Sequence, residues 1–174
     1  MNRFKIFKVF CFILSVAAAV YYPVKKIIQY EFTPAETFEF KVTAYDPYDP
    51  ARGHFLALRV YPEKIQVHSE KSRYAVLQVG KDGFAEVKEC IASPDGRPCV
   101  KLTKYIRRFP FNRFYINEKL AHEADVIFRS TEKDGKRCAL KVNVFKDGAY
   151  TVEDLLVDGV SIRKLAADNC SAKK

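Results

Sequence analysis

Residues 74–92 read YAVLQVGKDGFAEVKECIA, and how they are read decides the fold. Two runs alternate between apolar and other side chains, as strands with one buried face do, and Gly80-Lys81-Asp82-Gly83 separates them. Asp-Gly between such runs is a strong short-range hairpin signal. The arrangement returns at 138–157, CALKVNVFKDGAYTVEDLLV, where Lys146-Asp147-Gly148 turns between 139–145 and 150–157. Lys133-Asp134-Gly135 repeats the turn residues again, but the flanks match at no fixed period, so this is repeated turn chemistry and not a duplicated unit.

Outward from the hairpins, FEFKVTAY (38–45) places Phe38, Phe40, Val42 and Ala44 on one face of a strand. HFLALRVY (54–61) has His54, Leu56, Leu58 and Val60 on its more apolar face, and Pro62 ends it. Val100 to Ile106 alternates as a further strand, closed by Arg107-Arg108-Phe109-Pro110. Asn117 stands before EKLAHEA (118–124) as the N-cap of a short helix with Leu120, Ala121 and Ala124 on one side. DGVSIRKL (158–165) reads as a last strand before a disordered or lightly tethered tail. The expected fold class is mainly β, all-β or α+β: a small antiparallel β-sandwich or barrel-like domain with one short helix, over residues 37–166, with 167–174 as tail. Fourteen Phe and ten Tyr beside only seven Gly agree with a β-rich core, and 48% hydrophobic residues argue against wholesale disorder in a chain of 174 residues.

The chain begins MNRFKIFK, followed by the apolar run VFCFILSVAAAVYYPV and then Lys25-Lys26. Such a segment directs a chain to a membrane. Three readings stand: a short transmembrane anchor over 9–26, a signal peptide cut after Ala17-Ala18-Ala19, and a buried core helix. The anchor is preferred, because Tyr21, Tyr22 and Lys25-Lys26 form an aromatic and basic collar. Residues 1–8 are then the cytoplasmic N-terminus and 27–36 a juxtamembrane linker. Arg3, Lys5 and Lys8 outnumber Lys25 and Lys26, which modestly favours a cytoplasmic N-terminus and an exported C-terminal domain.

The net charge of +9 would suggest nucleic acid, but five of these charges flank the apolar run, leaving 25 basic residues against 21 acidic, or +4. The nucleic-acid reading is therefore set aside. Beyond Cys11 in the apolar run, four cysteines remain, an even number suited to an exported domain. Cys90 and Cys99 bracket the turn-rich IASPDGRP, which a disulfide would close, and Cys138 would then pair with Cys170 by exclusion, one of three connectivities. No Cys-x-x-Cys is present, so zinc is not expected, nor any other metal or cofactor.

Two stretches carry candidate chemistry. DPYDPARGHF (46–55) sets two Asp-Pro steps before Arg-Gly, either as a stiff structural corner or as a polar site of Asp46, Asp49, Arg52 and His54. RRFPFNRFYINE (107–118) interleaves arginines with aromatics. Its Phe109, Phe111, Phe114 and Tyr115 would seed the core while the arginines pair with Glu118, Glu123 and Asp125, or else Arg107, Arg108 and Arg113 would grip an anion. The chain contains no Gly-x-Ser-x-Gly, phosphate loop, His-Glu-x-x-His or dinucleotide fingerprint, and His54, His68 and His122 are scattered, so enzymatic activity has no motif behind it.

Gly53-His54-Phe55-Leu56-Ala57-Leu58-Arg59-Val60 resembles the motif of the bacterial GDYXXLXY family, with Gly53 and Leu58 matching, His54 in place of the aspartate, Phe55 in place of the first tyrosine and Val60 in place of the last. Arg113-Phe114-Tyr115-Ile116-Asn117-Glu118 is similar to the family's second recurrent element. The resemblance implies a short N-terminal anchor in the bacterial inner membrane and an extracytoplasmic, periplasmic β-rich domain. It further implies a multi-spanning membrane protein as neighbour and no established activity. The expected function is an interaction or accessory module for a membrane protein or envelope component. The alternative is a membrane-tethered hydrolase acting through the Asp46/Asp49/Arg52/His54 corner. A shared surface would bring Arg52 and Arg113 near Asp46, Asp49 or Glu118.

Overall fold

The structure is a computed structural model that describes residues 3–32, 34–45, 55–67 and 69–172. The chain divides into two compact units, Met1–Pro34 and Ala35–Lys174.

The first unit is one helix, α1 (Arg3–Phe32), of 30 residues with Pro23 inside it. It continues into the stretch 27–36 expected to be a linker, ending at Phe32. The transmembrane helix expected over 9–26 is not found: among the described residues no helix is long and apolar enough to cross a membrane. The apolar run between Lys8 and Lys25 is sixteen residues. At 1.5 Å per residue that covers about 24 Å of a hydrocarbon core of about 30 Å.

The second unit is mainly β, with curled antiparallel sheets. Its described elements are β1 (Glu36–Ala44), β2 (Phe55–Val60), β3 (Tyr74–Val79), β4 (Ala85–Ile91), β5 (Cys99–Lys101), β6 (Arg113–Tyr115), α2 (Glu118–Lys133), β7 (Cys138–Val144), β8 (Tyr150–Val157), β9 (Val160–Ser161) and α3 (Ile162–Ala172). One sheet runs β6-β2-β1-β7-β8-β9 and the other β4-β3-β5, with every pairing antiparallel.

Both expected hairpins form, by the same local chemistry. In β3–β4 the Gly80 amide donates to Phe84 O at 2.8 Å, the Phe84 amide donates to Asp82 Oδ1 at 3.0 Å, and Gly83 has φ of 79°. In β7–β8 the Phe145 amide donates to Ala149 O at 3.0 Å, the Ala149 amide donates to Asp147 Oδ1 at 3.0 Å, and Gly148 has φ of 88°. Aspartate folds the turn onto its own backbone and glycine takes the left-handed position after it. The third Lys-Asp-Gly does a different job. The Lys136 amide donates to Thr131 O at 3.1 Å across Gly135, at φ of 67°, which is the Schellman closure of α2.

At its other end α2 is capped as expected, the Lys119 amide donating to Asn117 Oδ1 at 3.0 Å; such a cap is worth about 1 kcal/mol. The helix is 16 residues long, however, and runs well past the short helix expected at 118–124. Ala124, Phe128 and Thr131 are buried at helical spacing, and that packing overrides the β-branched character of the sequence around Val126 and Ile127. Two further expectations are corrected. Of the stretch 100–106 only 100–101 lie in a strand, β5, and residues 104–106 turn, with Arg107 at φ of 52°. Of DGVSIRKL, only Val160–Ser161 is strand; Ile162 starts α3, which takes in residues 167–172 of the expected tail and buries Ile162 and Ala166.

One continuous core joins these parts. It holds Phe40, Leu58, Leu140 and Leu155 of the large sheet, Ala75, Leu77 and Val100 of the small one, Ala124 and Phe128 of α2, and Ile162 and Ala166 of α3. Cross-strand registers Phe38↔Val142 and Phe40↔Leu140 set its middle. The rings of Phe109 and Phe111 pack edge-on against Phe40 at 4.9 and 4.7 Å between centroids.

The expected disulfides are absent. Cys90, Cys99, Cys138 and Cys170 are not joined in any disulfide among the described residues. Cys90 on β4 faces Ala75, and Cys99 on β5 faces the next residue, Val76, so β3 lies between them. Two strand spacings separate the pair by about 10 Å, beyond the roughly 7 Å a disulfide tolerates between Cα atoms. The loop between them is held instead by Arg97, which is paired with Asp95 and Glu89. Cys170 donates to Lys119 O at the start of α2, at 3.9 Å, whereas Cys138 follows that helix's far end. Burial pushes the thiols of Cys90 and Cys99 above the usual range, which favours the unreactive protonated form. Mass spectrometry after alkylation of the folded chain without reduction, followed by digestion, is therefore expected to find both as carbamidomethyl cysteine, with Cys99, fully buried, modified more slowly than exposed Cys11. A Cys90–Cys99 crosslinked peptide would overturn the strand order.

Candidate functional site

Asp46, Asp49, Arg52, Gly53 and His54, together with His68, lie outside the described residues. The remainder of both singled-out segments is well placed, and the two are neighbours. β2 and β6 pair with register Phe55↔Tyr115, Leu56↔Phe114 and Ala57↔Arg113, so the two stretches that carry the family resemblance lie side by side at the edge of the large sheet. Alternation decides which side chains serve the core: Leu56, Leu58, Val60 and Phe114 are buried, and Tyr115 is 63% exposed.

The arginines separate. Arg107 is turned away and its guanidinium donates to Glu70 O at 2.7 Å. Arg108 lines a cleft of about 380 Å³ with Tyr45, Arg59 and Glu63. There Arg59 stacks over Tyr45 at 5.3 Å and meets Glu63 at 3.6 Å. Arg113 lies on another groove and stacks over Phe55 at 4.9 Å from the ring centroid. The three therefore stand at different places, Arg108 and Arg113 on separate grooves and Arg107 on neither. Of the acidic partners expected for them, Asp125 receives Arg129 one turn on, at 2.9 Å. Glu118 is exposed in the first turn of α2.

The groove beside Arg113 is the more built of the two. It encloses about 380 Å³ between residues 110–115 on one side and Tyr150, Val152 and Arg163 on the other. It exists because the large sheet curls until β6 comes near β8. Phe111 and Tyr150 meet edge-on at 5.1 Å, and Arg163 lies over Phe114 at 4.5 Å. Arg163 also donates to Glu153 O at 3.1 Å and meets Asp154 at 3.4 Å. Burial holds the Tyr150 phenol above its usual range, so the hydroxyl stays a neutral donor at physiological pH. The wall is thus aromatic with two cations on it, suited to gripping an anionic group presented by an extended or planar ligand.

Arg163 and Tyr150 were not singled out in the sequence. Both reach the groove through sheet curling and through α3, and no local pattern around them signals that. Among the described residues no group of three or more His, Cys, Asp or Glu side chains is arranged to hold a metal ion. No family model, no curated protein and no solved structure matches the chain.

Proposed function

We propose that this chain is a membrane-attached interaction module of the GDYXXLXY type, serving a membrane protein or envelope component. The observation that carries the reading is the pairing of β2 with β6, which joins the two resembling segments into one surface that ends in the groove beside Arg113. Attachment falls to α1. Phe10, Cys11, Phe12, Ile13, Leu14, Val16, Val20 and Tyr22 are all exposed and, at 100° per residue, surround the helix, a distribution that suits immersion better than lying on a surface. Because the apolar run is short, Lys8 and Lys25 would reach outward to the headgroups from its ends. The basic count favours an N-terminus in the cytoplasm and a periplasmic or extracytoplasmic second unit in the bacterial inner membrane. The hydrolase alternative rests on Asp46, Asp49, Arg52 and His54, and nothing among the described residues favours it.

The test is photo-crosslinking in isolated membranes from a benzophenone amino acid at Tyr115, the exposed ring of β6. Recovery in the membrane fraction is expected, with an adduct to one membrane or envelope protein. Arg113→Ala should reduce that adduct about tenfold, the effect of losing an interface arginine worth roughly 1.4 kcal/mol. Recovery of the intact chain in the soluble fraction, or adducts indifferent to Arg113→Ala, would refute the reading.

A further inference from the structure

Resting on the membrane-attachment part of the proposed function, we infer that the turn at 103–108, TKYIRR, is a contact of the second unit with an anionic lipid surface: Tyr105 and Ile106 enter the bilayer interface and the cations of the turn meet lipid phosphates. Charge marks the place in the sequence. Residues 98–117 hold five basic residues and no acidic one, which exceeds the excess of four (25 basic against 21 acidic) that the chain carries beyond Lys26.

The turn is fixed by its backbone. The Thr103 amide donates to Arg108 O at 3.0 Å and the Arg108 amide donates to Thr103 Oγ1 at 3.2 Å, which closes its two ends on each other. The Leu102 amide donates to Arg73 O at 2.8 Å and the Ile65 amide to Arg107 O at 2.9 Å, which ties it to the chain on either side. Held in this way, Tyr105 is nevertheless 87% exposed and Ile106 50%. Their exposure is part of the fold, and a turn already closed gives up little conformational freedom on docking.

The cations are uncompensated. Arg73, Lys104, Arg107 and Arg108 stand on the turn or at its base, and among the described residues none of them makes an ion pair. Arg107 donates to a backbone carbonyl, that of Glu70, and Lys104 lies 5.4 Å from the centroid of the Tyr105 ring, contacts that leave both charges in place. Glu63, which shares a cleft with Arg108, is engaged by Arg59 at 3.6 Å. Size selects the occupant. Two apolar side chains fall far short of the roughly 800 Å² that a stable protein interface takes from each partner. A tyrosine and an aliphatic side chain among cations suit the headgroup region, where an amphipathic ring is at home and each basic side chain adds attraction to anionic lipid.

The chain contains no tryptophan, so Tyr105→Trp puts a single indole on the turn. The full-length variant is reconstituted into vesicles of phosphatidylglycerol with phosphatidylcholine, and into phosphatidylcholine alone. Blue-shifted emission, quenched by brominated acyl chains and reversed by high salt, is expected in the anionic vesicles and not in the neutral ones. Arg73→Gln, Lys104→Gln and Arg108→Gln should each lower the ratio of docked to undocked turn about fivefold. Ile106→Trp repeats the reading should Tyr105→Trp fold poorly by circular dichroism. Equal shifts in both vesicles, or indifference to the glutamine changes, overturn the inference. Flotation with neutral vesicles reads α1 separately. A chain that floats with them while its indole stays in water on anionic ones overturns the lipid-contacting turn and leaves membrane attachment. Flotation on anionic vesicles alone, lost with the glutamine changes, upholds the turn and overturns attachment through α1.

Discussion

Phe40→Ala is expected to destabilise the second unit by about 3–5 kcal/mol, the range for deleting a fully buried phenylalanine. Phe40 is 0% exposed and stands on β1, the strand that joins β2 to β7 in the large sheet. Its ring is met edge-on by both Phe109 and Phe111, which are themselves stacked at 5.2 Å. Removing it leaves a void that two aromatic neighbours and a paired strand cannot collapse into, and edge-to-face pairs add about 0.5–1.5 kcal/mol beyond area. Against a total stability of about 5–15 kcal/mol this is a large fraction. Thermal unfolding of the detergent-solubilised chain should fall by roughly 10–20 °C. Phe55→Ala, at a partly exposed ring, should cost far less. A loss under about 1 kcal/mol for Phe40→Ala would mean that residues 109–111 do not close the core.

The ring cluster also shows what the sequence alone could and could not disclose. Alternation in FEFKVTAY and HFLALRVY marks the buried faces of β1 and β2, and Asp-Gly marks both hairpins, because those signals are local. The pairing of β1 with β7 spans a hundred residues and leaves no local trace. Composition misleads in three places. Around Val126 and Ile127 the residues favour strand, yet Ala124 and Phe128 are held at helical spacing by the core, so α2 is longer than expected. Ile162, Leu165 and Ala166 were legible as a helix face, but a preceding Asp-Gly and Val160 suggested one more strand. Cys90 and Cys99 are close in sequence, and only the order β4-β3-β5 reveals the strand between them.

The candidate site divides along the same line. Arg113 and its neighbours stand out in the sequence because arginine alternates with aromatics there, and the link from 113–115 to 55–57 becomes visible only as a strand pairing. Arg163 and Tyr150 are brought to the groove by tertiary structure alone. A site built from a sheet edge and a distant helix is legible in half, since only one of its walls has a pattern of its own.

Gly148→Ala is the second large effect, and it probes how the two sheets are joined. The β7–β8 turn docks on the small sheet: the Lys101 amide donates to Gly148 O at 3.2 Å and the Cys99 amide donates to Phe145 O at 3.4 Å. Tyr74, at the start of β3, closes over the glycine, and a Cβ built there would lie 2.5 Å from Tyr74 Cε1 and 2.7 Å from Cδ1. Gly148 also sits at φ of 88°, a conformation that costs other residues about 1–2 kcal/mol. Overpacking adds about 1–3 kcal/mol, for a total of roughly 2–5. Gly135 supplies the control, since at φ of 67° it has no atom within 4 Å of a built Cβ, so Gly135→Ala should show the conformational part alone. Urea unfolding of both variants, and of Gly148→Ala combined with Tyr74→Ala, separates the terms. The double variant should cost less than the sum of its two single changes, because removing the ring removes the collision. If Gly148→Ala and Gly135→Ala cost the same, Tyr74 swings aside freely, and the sheets are held by the two backbone hydrogen bonds and the shared core without help from this close approach.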